Sequence, residues 1–297
     1  MVTTYETLRL AIDGGVATVT FDNPPVNVMT LRLMTELDAV FDQFIADRTI
    51  RVIVFESADP EFFLAHGDMT TAADPAEFGA LKIALDQKAS LNPMMRLHER
   101  LRCLPQLTVV KLRGFARGGG AEFVSAADIR YGSEKAGLAQ FEAPSGILPG
   151  GGGTAYLPRL VGRARALEVV LGCDLVDART AERWGWLNRV VTDDQLDNFV
   201  TSFARRVALL PDGVLHAVFD AIQPDSSIAP ALDAANDSLG QLFAKPAAAI
   251  RARALLDAGA QTRDGERHLE TLVKGLDAAP DCGSASNAGA RPLLAKH

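Results

Sequence analysis

The chain has 297 residues, 48% of them hydrophobic, which is enough apolar material for the core of one large domain or of one and a half domains. Its formal net charge of −7 argues against nucleic acid or an anionic membrane as the main partner, although clustered backbone amides can still bind an anionic ligand. Three widely spaced cysteines, no recognisable secretory signal and no run of about 18 apolar residues together favour a cytoplasmic α/β protein with free thiols.

The first predicted elements are two β-rich runs at residues 8–12 and 16–21. The Asp-Gly-Gly segment at residues 13–15 predicts a hairpin turn between them. The Asn-Pro-Pro segment at residues 23–25 should end the second strand, because proline cannot donate a hydrogen bond to the ladder.

The next segments alternate between helix and strand. From Thr30, apolar residues recur three or four apart, which predicts an amphipathic helix with Thr30 as its N-cap. Residues 51–55 predict a buried strand, a helical stretch follows to about Leu104, and residues 108–112 predict another strand. Such alternation implies parallel strand pairing, with helices covering the sheets.

The last third of the chain is different. Gly185 is predicted to cap the C-terminus of a helix, and beyond Asp194 the pattern is almost wholly helical. We therefore predict a core at residues 1–194 and a helical region at residues 195–279. Residues 280–297, rich in Gly, Ser, Ala and Asn, are expected to form a flexible tail.

Two glycine-containing segments, residues 62–69 and 114–122, follow predicted strands and lead into helix-compatible stretches. Glycine lets backbone N–H groups approach a ligand closely, and the first amides of a helix are unpaired and carry partial positive charge. Two such amides aimed at one oxygen would form an oxyanion hole. Glycine content alone favours the simpler interpretation, in which both segments are tight turns before helices.

Two acidic residues differ from the surface background. Glu122 follows the second glycine segment in an apolar stretch, and Glu142 precedes Pro144 and a run of glycines. Apolar surroundings disfavour the charged form of a carboxyl group, so that it can act as an acid or a base near neutral pH. The simpler interpretations are a first-turn acid that favours the helix dipole for Glu122 and a solvated loop acid for Glu142.

Several other catalytic motifs are missing. The sequence has no phosphate-binding P-loop and no G-x-S-x-G nucleophile elbow, and residues 114–120 lack the G-x-G-x-x-G spacing of a dinucleotide site. The five histidines show no metal-ligand spacing, so we expect no metal site.

In combination and in order, these segments resemble the crotonase (enoyl-CoA hydratase/isomerase) superfamily over roughly residues 5–191. The matching segments are residues 23–28 to a shortened R-P-x-x-x-N-A, 65–68 to A-G-x-D, 114–122 to G-x-x-x-G-G-G-x-E, 142–154 to E-x-x-x-G-x-x-P-G-x-G-G-T, and 171–187 to T-G-x-x-x-x-A-x-x-A-x-x-x-G-L-V. The resemblance implies an α/β fold made of a spiral of ββα units, with a C-terminal helical region that builds a homotrimer or homohexamer.

The resemblance also implies roles for particular residues. The backbone amides of Gly67 and Gly119 would bind a thioester oxygen, while Glu122 and Glu142 stand where hydratases carry two catalytic glutamates. Ala65 would offer main-chain groups to the adenine, together with Gly67. The residues implied in binding the substrate or its CoA part are Val26, Val28, Ala65, His66, Asp68, Gly118, Pro149 and Gly150. Asp68 would mainly cap the next helix.

The sequence therefore predicts an enoyl-CoA hydratase, with Glu142 as the main acid/base toward the substrate Cα and Glu122 as the partner of the water. Coenzyme A would be part of the substrate, and no other cofactor or metal is implied. Isomerisation, decarboxylation or retro-aldol cleavage through a similar enolate remains open. So does a scaffold protein that keeps the fold without the chemistry.

The sequence departs from the family pattern at several places. His66 stands where the family usually has glycine, Arg117 where a small or apolar residue is common, and Phe141 where proline is frequent. Residues 269–274 match the family's C-terminal pattern poorly. We expect these changes to affect the acyl preference more than the fold.

Overall fold

The computed structural model of the chain describes residues 5–73, 75–83, 91–222 and 227–276, so the predicted tail at residues 280–297 lies outside the described residues. The strands are β1 (Leu8–Asp13), β2 (Val16–Phe21), β3 (Val52–Ser57), β4 (Phe62–Leu64), β5 (Leu107–Leu112), β6 (Phe115–Arg117), β7 (Ile129–Ser133), β8 (Gly137–Ala139), β9 (Val176–Asp177) and β10 (Arg189–Val191). The helices are α1 (Leu31–Ala46), α2 (Thr70–Ala73), α3 (Pro75–Ala80), α4 (Pro93–Arg102), α5 (Gly119–Ala126), α6 (Gly153–Val161), α7 (Arg163–Gly172), α8 (Ala178–Trp184), α9 (Asp193–Ala208), α10 (Val214–Ala221), α11 (Ala229–Phe243), α12 (Pro246–Asp257), α13 (Arg263–Arg267) and α14 (Leu269–Gly275).

The strands form two sheets. The larger has the order β1-β2-β3-β5-β7-β10, and the smaller has the order β4-β6-β8-β9. β1 and β2 pair antiparallel with Asp13 opposite Val16, which confirms the predicted hairpin. The other pairs of the larger sheet are parallel, as are β4–β6 and β6–β8, so the predicted parallel pairing is also confirmed.

Local sequence signals set the ends of two helices. Thr30 accepts a hydrogen bond from the Leu33 amide at 3.2 Å and begins α1, as predicted. Gly185 has a φ of 85° and ends α8, also as predicted, because this left-handed conformation costs glycine little. Cys103 and Cys173 are free thiols, whereas Cys282 lies outside the described residues.

Packed phenylalanine rings hold α5 against the larger sheet. Phe123 on α5 contacts Phe21 and Phe55 edge to face, with ring centroids 5.5 and 5.1 Å apart. All three rings are fully buried. Each buried aromatic ring removes a large apolar area from water, and this arrangement adds a favourable contact between ring edges and faces. Since Glu122 is the neighbour of Phe123 on α5, the same packing fixes the position of the Glu122 backbone.

The helices after β10 pack on the core of their own chain. α9 covers the larger sheet, where Leu196 and Val200 are buried against Val54 and Val109. α11 contacts α6, and α12 contacts α2. The predicted domain boundary at residue 194 and the predicted homotrimer or homohexamer stay predictions. No helix in the described ranges combines the length and the apolarity needed to cross a membrane.

We expect Gly120→Ala to destabilise the protein strongly, because α5 crosses β4 closely at this residue. A Cβ at Gly120 would lie 2.1 Å from the carbonyl oxygen of Leu64, so the backbones would have to separate, at a cost of about 3 kcal/mol. Gly240→Ala on α11 is the matched control, since a Cβ there meets nothing within 4 Å. It should stabilise the helix by up to about 1 kcal/mol. Urea unfolding measures both, and equal stability of the two variants would contradict the close crossing.

Candidate active site

A cavity of about 440 Å³ lies between the core and the C-terminal helices. Its wall includes Met94 of α4, Leu239 and Phe243 of α11, and Leu255 of α12. The predicted site residues that line it are His66, Gly67, Asp68, Gly119, Glu122, Glu142 and Gly150. Two sequence-distant glycines and two acids therefore share one largely apolar cavity.

The backbone amides of Gly67 and Gly119 lie close together in the cavity wall. A Cβ at Gly119 would lie 3.1 Å from the Gly67 nitrogen, and ordinary bond lengths then bring the two amide nitrogens within roughly 6 Å. Neither amide donates a hydrogen bond to any residue that the structure describes. Because N–H···O bonds are about 2.9 Å long, this separation permits both amides to reach one oxygen.

Glycines enclose the Glu122 carboxylate. The Gly151 amide donates to its two oxygens at 2.8 and 2.9 Å, and the Gly153 amide donates to Oε1 at 2.6 Å. A Cβ at either glycine would lie 2.9 Å from a carboxylate oxygen of Glu122, so a larger residue would crowd the carboxylate. The glycine run thus positions Glu122 rather than forming a phosphate loop.

Glu142 is buried beside the second glycine turn. A Cβ at Gly118 would lie 2.6 Å from Glu142 Oε1, and Gly118 also has a positive φ of 47°. The Gln140 amide satisfies both its ends only when its nitrogen faces the Glu142 oxygens, at 3.2 and 3.0 Å. Glu142 is 7% exposed. The simpler interpretation of Glu142 as a solvated loop acid is therefore wrong.

Burial changes the acidity of both carboxyl groups. It raises the pKa of Glu122 to about 7, although the hydrogen bonds from Gly153 and Gly151 oppose the change. Burial, and then the charge of Glu122, raise the pKa of Glu142 well above its ordinary value. Both groups therefore hold a proton to higher pH than a free carboxyl group does, and the charge of Glu122 disfavours ionisation of Glu142.

Two residues that the sequence analysis did not single out, the N-cap of α4 and a histidine within α4, hold the glycine loop. Asn92 caps α4 by accepting the Met94 amide at 3.0 Å, and its side-chain nitrogen donates to the Gly150 carbonyl at 2.8 Å. His98 Nδ1 lies 2.7 Å from the Gly151 carbonyl. Burial lowers the pKa of His98 to about 4, against the effect of this hydrogen bond, so the neutral ring donates from Nδ1. The Asn-Pro pair before a helix was the available signal for Asn92.

The other predicted binding residues lie in different surroundings. The side chains of Val26, Val28 and Ala65 are buried in a small apolar cluster with Phe62, outside the cavity wall, so only their main chains could meet a ligand. Asp68 accepts the amide of the first α2 residue at 2.9 Å, a contact of the capping kind. The predicted CoA contacts of the binding residues, Gly118 and Pro149 among them, stay predictions. Within the described residues, no three His, Cys, Asp or Glu side chains are grouped to hold a metal ion.

Comparison with known proteins gives consistent similarities. Residues 11–253 match the family profile described as Enoyl-CoA hydratase/isomerase. A solved structure from Streptomyces avermitilis, provisionally designated an enoyl-CoA hydratase, is 46% identical with a TM-score of 0.87 and covers 93% of this chain and 100% of its own.

Two curated relatives differ in their names. A probable enoyl-CoA hydratase of Bacillus subtilis is 37% identical over 163 residues, which span 55% of this chain and 60% of that protein. The carnitinyl-CoA dehydratase of Proteus mirabilis is 30% identical over 207 residues, which span 68% of this chain and 75% of that protein.

The buried acid pair should make the protein less stable as the pH rises. A carboxyl group whose folded-state pKa exceeds its unfolded value of about 4.3 binds protons more tightly when folded, so the free energy of unfolding falls as the pH rises through this window. Glu142→Gln removes one group of the pair. The Tm of the variant minus the Tm of the wild type should therefore increase between about pH 5 and pH 8. His66, whose pKa is also raised, acts in the same direction in both proteins and cancels.

Scanning calorimetry across this range measures the difference. Glu168→Gln, an exposed change on α7, is the control that keeps both buried carboxyl groups. Parallel Tm curves for Glu142→Gln and the wild type would contradict the raised pKa of Glu142.

Proposed function

The chain belongs to the enoyl-CoA hydratase/isomerase family, and we propose that it adds water across the double bond of a 2-enoyl-CoA thioester. The observation that carries the proposal is that two buried carboxyl groups of raised pKa, Glu122 and Glu142, line one cavity with two backbone amides that donate to no described residue. Hydration needs both an acid and a base, and it needs donors for the charge that develops on the thioester oxygen.

The two amides would act on the thioester carbonyl. When water attacks the substrate Cβ, negative charge moves onto the carbonyl oxygen, where the N–H groups of Gly67 and Gly119 would donate to it. One such donor typically contributes on the order of 3 kcal/mol to the transition state. The contribution is catalytic because the bonds strengthen as charge develops, rather than when the substrate binds.

The two acids would divide the proton transfers. Glu142 approaches Gly118, next to the Gly119 amide, and this supports a role toward the substrate Cα, which is bonded to the carbonyl carbon. Glu122, held by the glycine loop, would take a proton from the water as its oxygen adds to the substrate Cβ. Coenzyme A would enter and leave as part of the substrate, and the reaction needs no redox cofactor.

An alternative reaction would use the same enolate differently. The family includes isomerases, and isomerisation shifts a proton without adding water, so one acid/base can suffice. The retention of a second buried acid in the cavity wall favours hydration or its reverse. The similarity to a carnitinyl-CoA dehydratase is in keeping with either direction of that chemistry.

The direct test follows crotonyl-CoA and longer 2-enoyl-CoA esters by loss of the conjugated thioester absorbance. Glu122→Gln and Glu142→Gln should each lower kcat by about 10² to 10⁴, because each removes one proton-transfer partner. Glu168→Gln again serves as the control and should leave kcat unchanged. An effect of only one substitution, with turnover of a 3-enoyl-CoA, would favour an isomerase, and binding without any turnover would favour a scaffold.

The rate of hydration should depend on pH as a bell. At low pH both acids are protonated and no base remains, and at high pH both are ionised and no acid remains. Because the pKa of Glu122 is raised to about 7, kcat/KM should decline as the pH falls below about 7. Stopped-flow measurements between about pH 5 and pH 10 test this, and a rate that stays constant down to pH 5 would contradict it.

A further inference from the structure

Four charged side chains meet beside the residues that carry the two cavity amides. His66 directly precedes Gly67, and Arg117 lies two residues before Gly119. Their partners are Glu266 on α13 and a second glutamate on α14. His66, Arg117 and Glu266 are each at most 1% exposed. A buried group of charges at this place requires a reason, since moving charges out of water costs free energy.

Glu266 divides its two oxygens between the two segments. Oε1 lies 2.9 Å from His66 Nε2, and Oε2 faces Arg117 Nη1 at 4.0 Å. Arg117 is held further by Glu270, which accepts from Nε at 2.6 Å and from Nη2 at 3.0 Å. Neither Glu266 Oε2 nor Arg117 Nη1 has a hydrogen-bond partner among the described residues, so the two atoms interact through their charges. One carboxylate therefore faces both amide-bearing segments.

The surroundings favour the charged form of His66. Burial opposes that form, but the charge and the hydrogen bond of Glu266 outweigh it and raise the pKa of His66, as does the Gly67 carbonyl 2.7 Å from Nδ1. The charge of Arg117 opposes the positive charge of the ring. Glu142 is also near His66, since a Cβ at Gly118 would lie 2.6 Å from Glu142 Oε1 and 3.4 Å from the His66 Cβ. Among the described residues, Gln261 links Asp68 to the group. Its side-chain nitrogen donates to Asp68 Oδ1, and its backbone amide donates to Glu266 Oε1.

We propose that Glu266 is a positioning residue that sets the spacing of the Gly67 and Gly119 amides by holding His66 and Arg117 together. The proposal rests on the proposed function, in which these amides bind the thioester oxygen. His66 and Arg117 both depart from the family pattern, and Glu270 lies in the poorly matched segment at residues 269–274. Arg117 binds Glu270, and Glu266 links Arg117 to His66, so these departures form one unit next to the cavity rather than separate changes in acyl preference.

The test substitutes Glu266→Gln, which keeps the size of the side chain and removes its charge. We expect kcat for crotonyl-CoA to fall roughly tenfold to a hundredfold with KM within about threefold, because displacing catalytic donors by a fraction of an ångström to one ångström has effects of this size. Glu168→Gln, the exposed change on α7, is the control because it lies outside this group of charges. It should change kcat by less than about threefold.

A double variant separates positioning from folding. His66→Gln in the Glu266→Gln background removes the unpaired buried cation and should recover most of the lost Tm, while kcat should stay low. Recovery of kcat together with Tm would show that Glu266 acts only on folding, and an unchanged kcat in Glu266→Gln would also overturn the proposal.

Acetoacetyl-CoA gives a readout that does not depend on turnover. Its acidic carbon allows an enolate to form when amides bind the thioester oxygen, and the enolate absorbs in the ultraviolet. The wild type should increase the enolate fraction on binding, and Glu266→Gln should reduce that increase about tenfold at a similar Kd. A wild type that shows enolate but hydrates no enoyl-CoA would overturn only the proposed function. Equal enolate signals in both proteins would overturn only the role of Glu266, and no enolate in the wild type would overturn both.

Discussion

The site depends on the close approach of two backbone segments, the end of β4 and the start of α5. A Cβ at Gly114 would lie 2.2 Å from the Glu61 carbonyl oxygen, and one at Gly120 would lie 2.1 Å from that of Leu64. Glycine at both places lets the segments touch along their length. Between these two contacts the chain presents Gly119, whose amide reaches the neighbourhood of Gly67. The two amides therefore come close together because glycine, which has no Cβ, lets the backbone segments approach each other.

The charges around this crossing fall into two sets that differ in their partners. In the described part of the chain, no cation is among the groups that shift the pKa of Glu122 or of Glu142, and burial raises both values. Glu266 faces His66 and Arg117, and despite its burial these charges and hydrogen bonds lower its pKa. The first set thus favours its protonated form more than free carboxyl groups do, while His66 and Glu266 in the second set favour each other's charged form. Gly118 adjoins both sets, since a Cβ there would lie 2.6 Å from Glu142 Oε1 and 3.4 Å from the His66 Cβ.

The sequence predicted the turns and helix caps that depend on neighbouring residues, and it missed the contacts between residues far apart in the chain. The hairpin at Asp13 and the caps at Thr30 and Gly185 depend on residues a few positions apart, and all were predicted. Glu122 and Glu142 were predicted as site residues from their apolar neighbours and from the family resemblance. Asn92 and His98 have no such signal for their contacts with the glycine loop, because these join residues more than fifty positions apart. The partner of His66 is 200 residues away and becomes visible only when the helical region is folded on the core.

In the helical region, one tight turn joins a helix that lines the cavity to a helix that contacts the amide-bearing segments. Leu255 on α12 lines the cavity, whereas Glu266 on α13 faces the two amide-bearing segments. Between them, a Cβ at Gly265 would lie 1.9 Å from the Gly259 carbonyl oxygen, so only glycine fits at this close contact within the turn. Arg267 on α13 also binds Glu61, just before β4, at 2.8 Å.

A closely packed turn tends to pass a displacement on to the helices that it joins. A change of cavity shape that moved α12 would therefore also move α13, and with it the carboxylate between His66 and Arg117. If Glu266 has the proposed role, the cavity wall at Leu255 and the spacing of the Gly67 and Gly119 amides are linked through this turn. Changes in the acyl wall should then be accepted only where they leave the position of α12 intact.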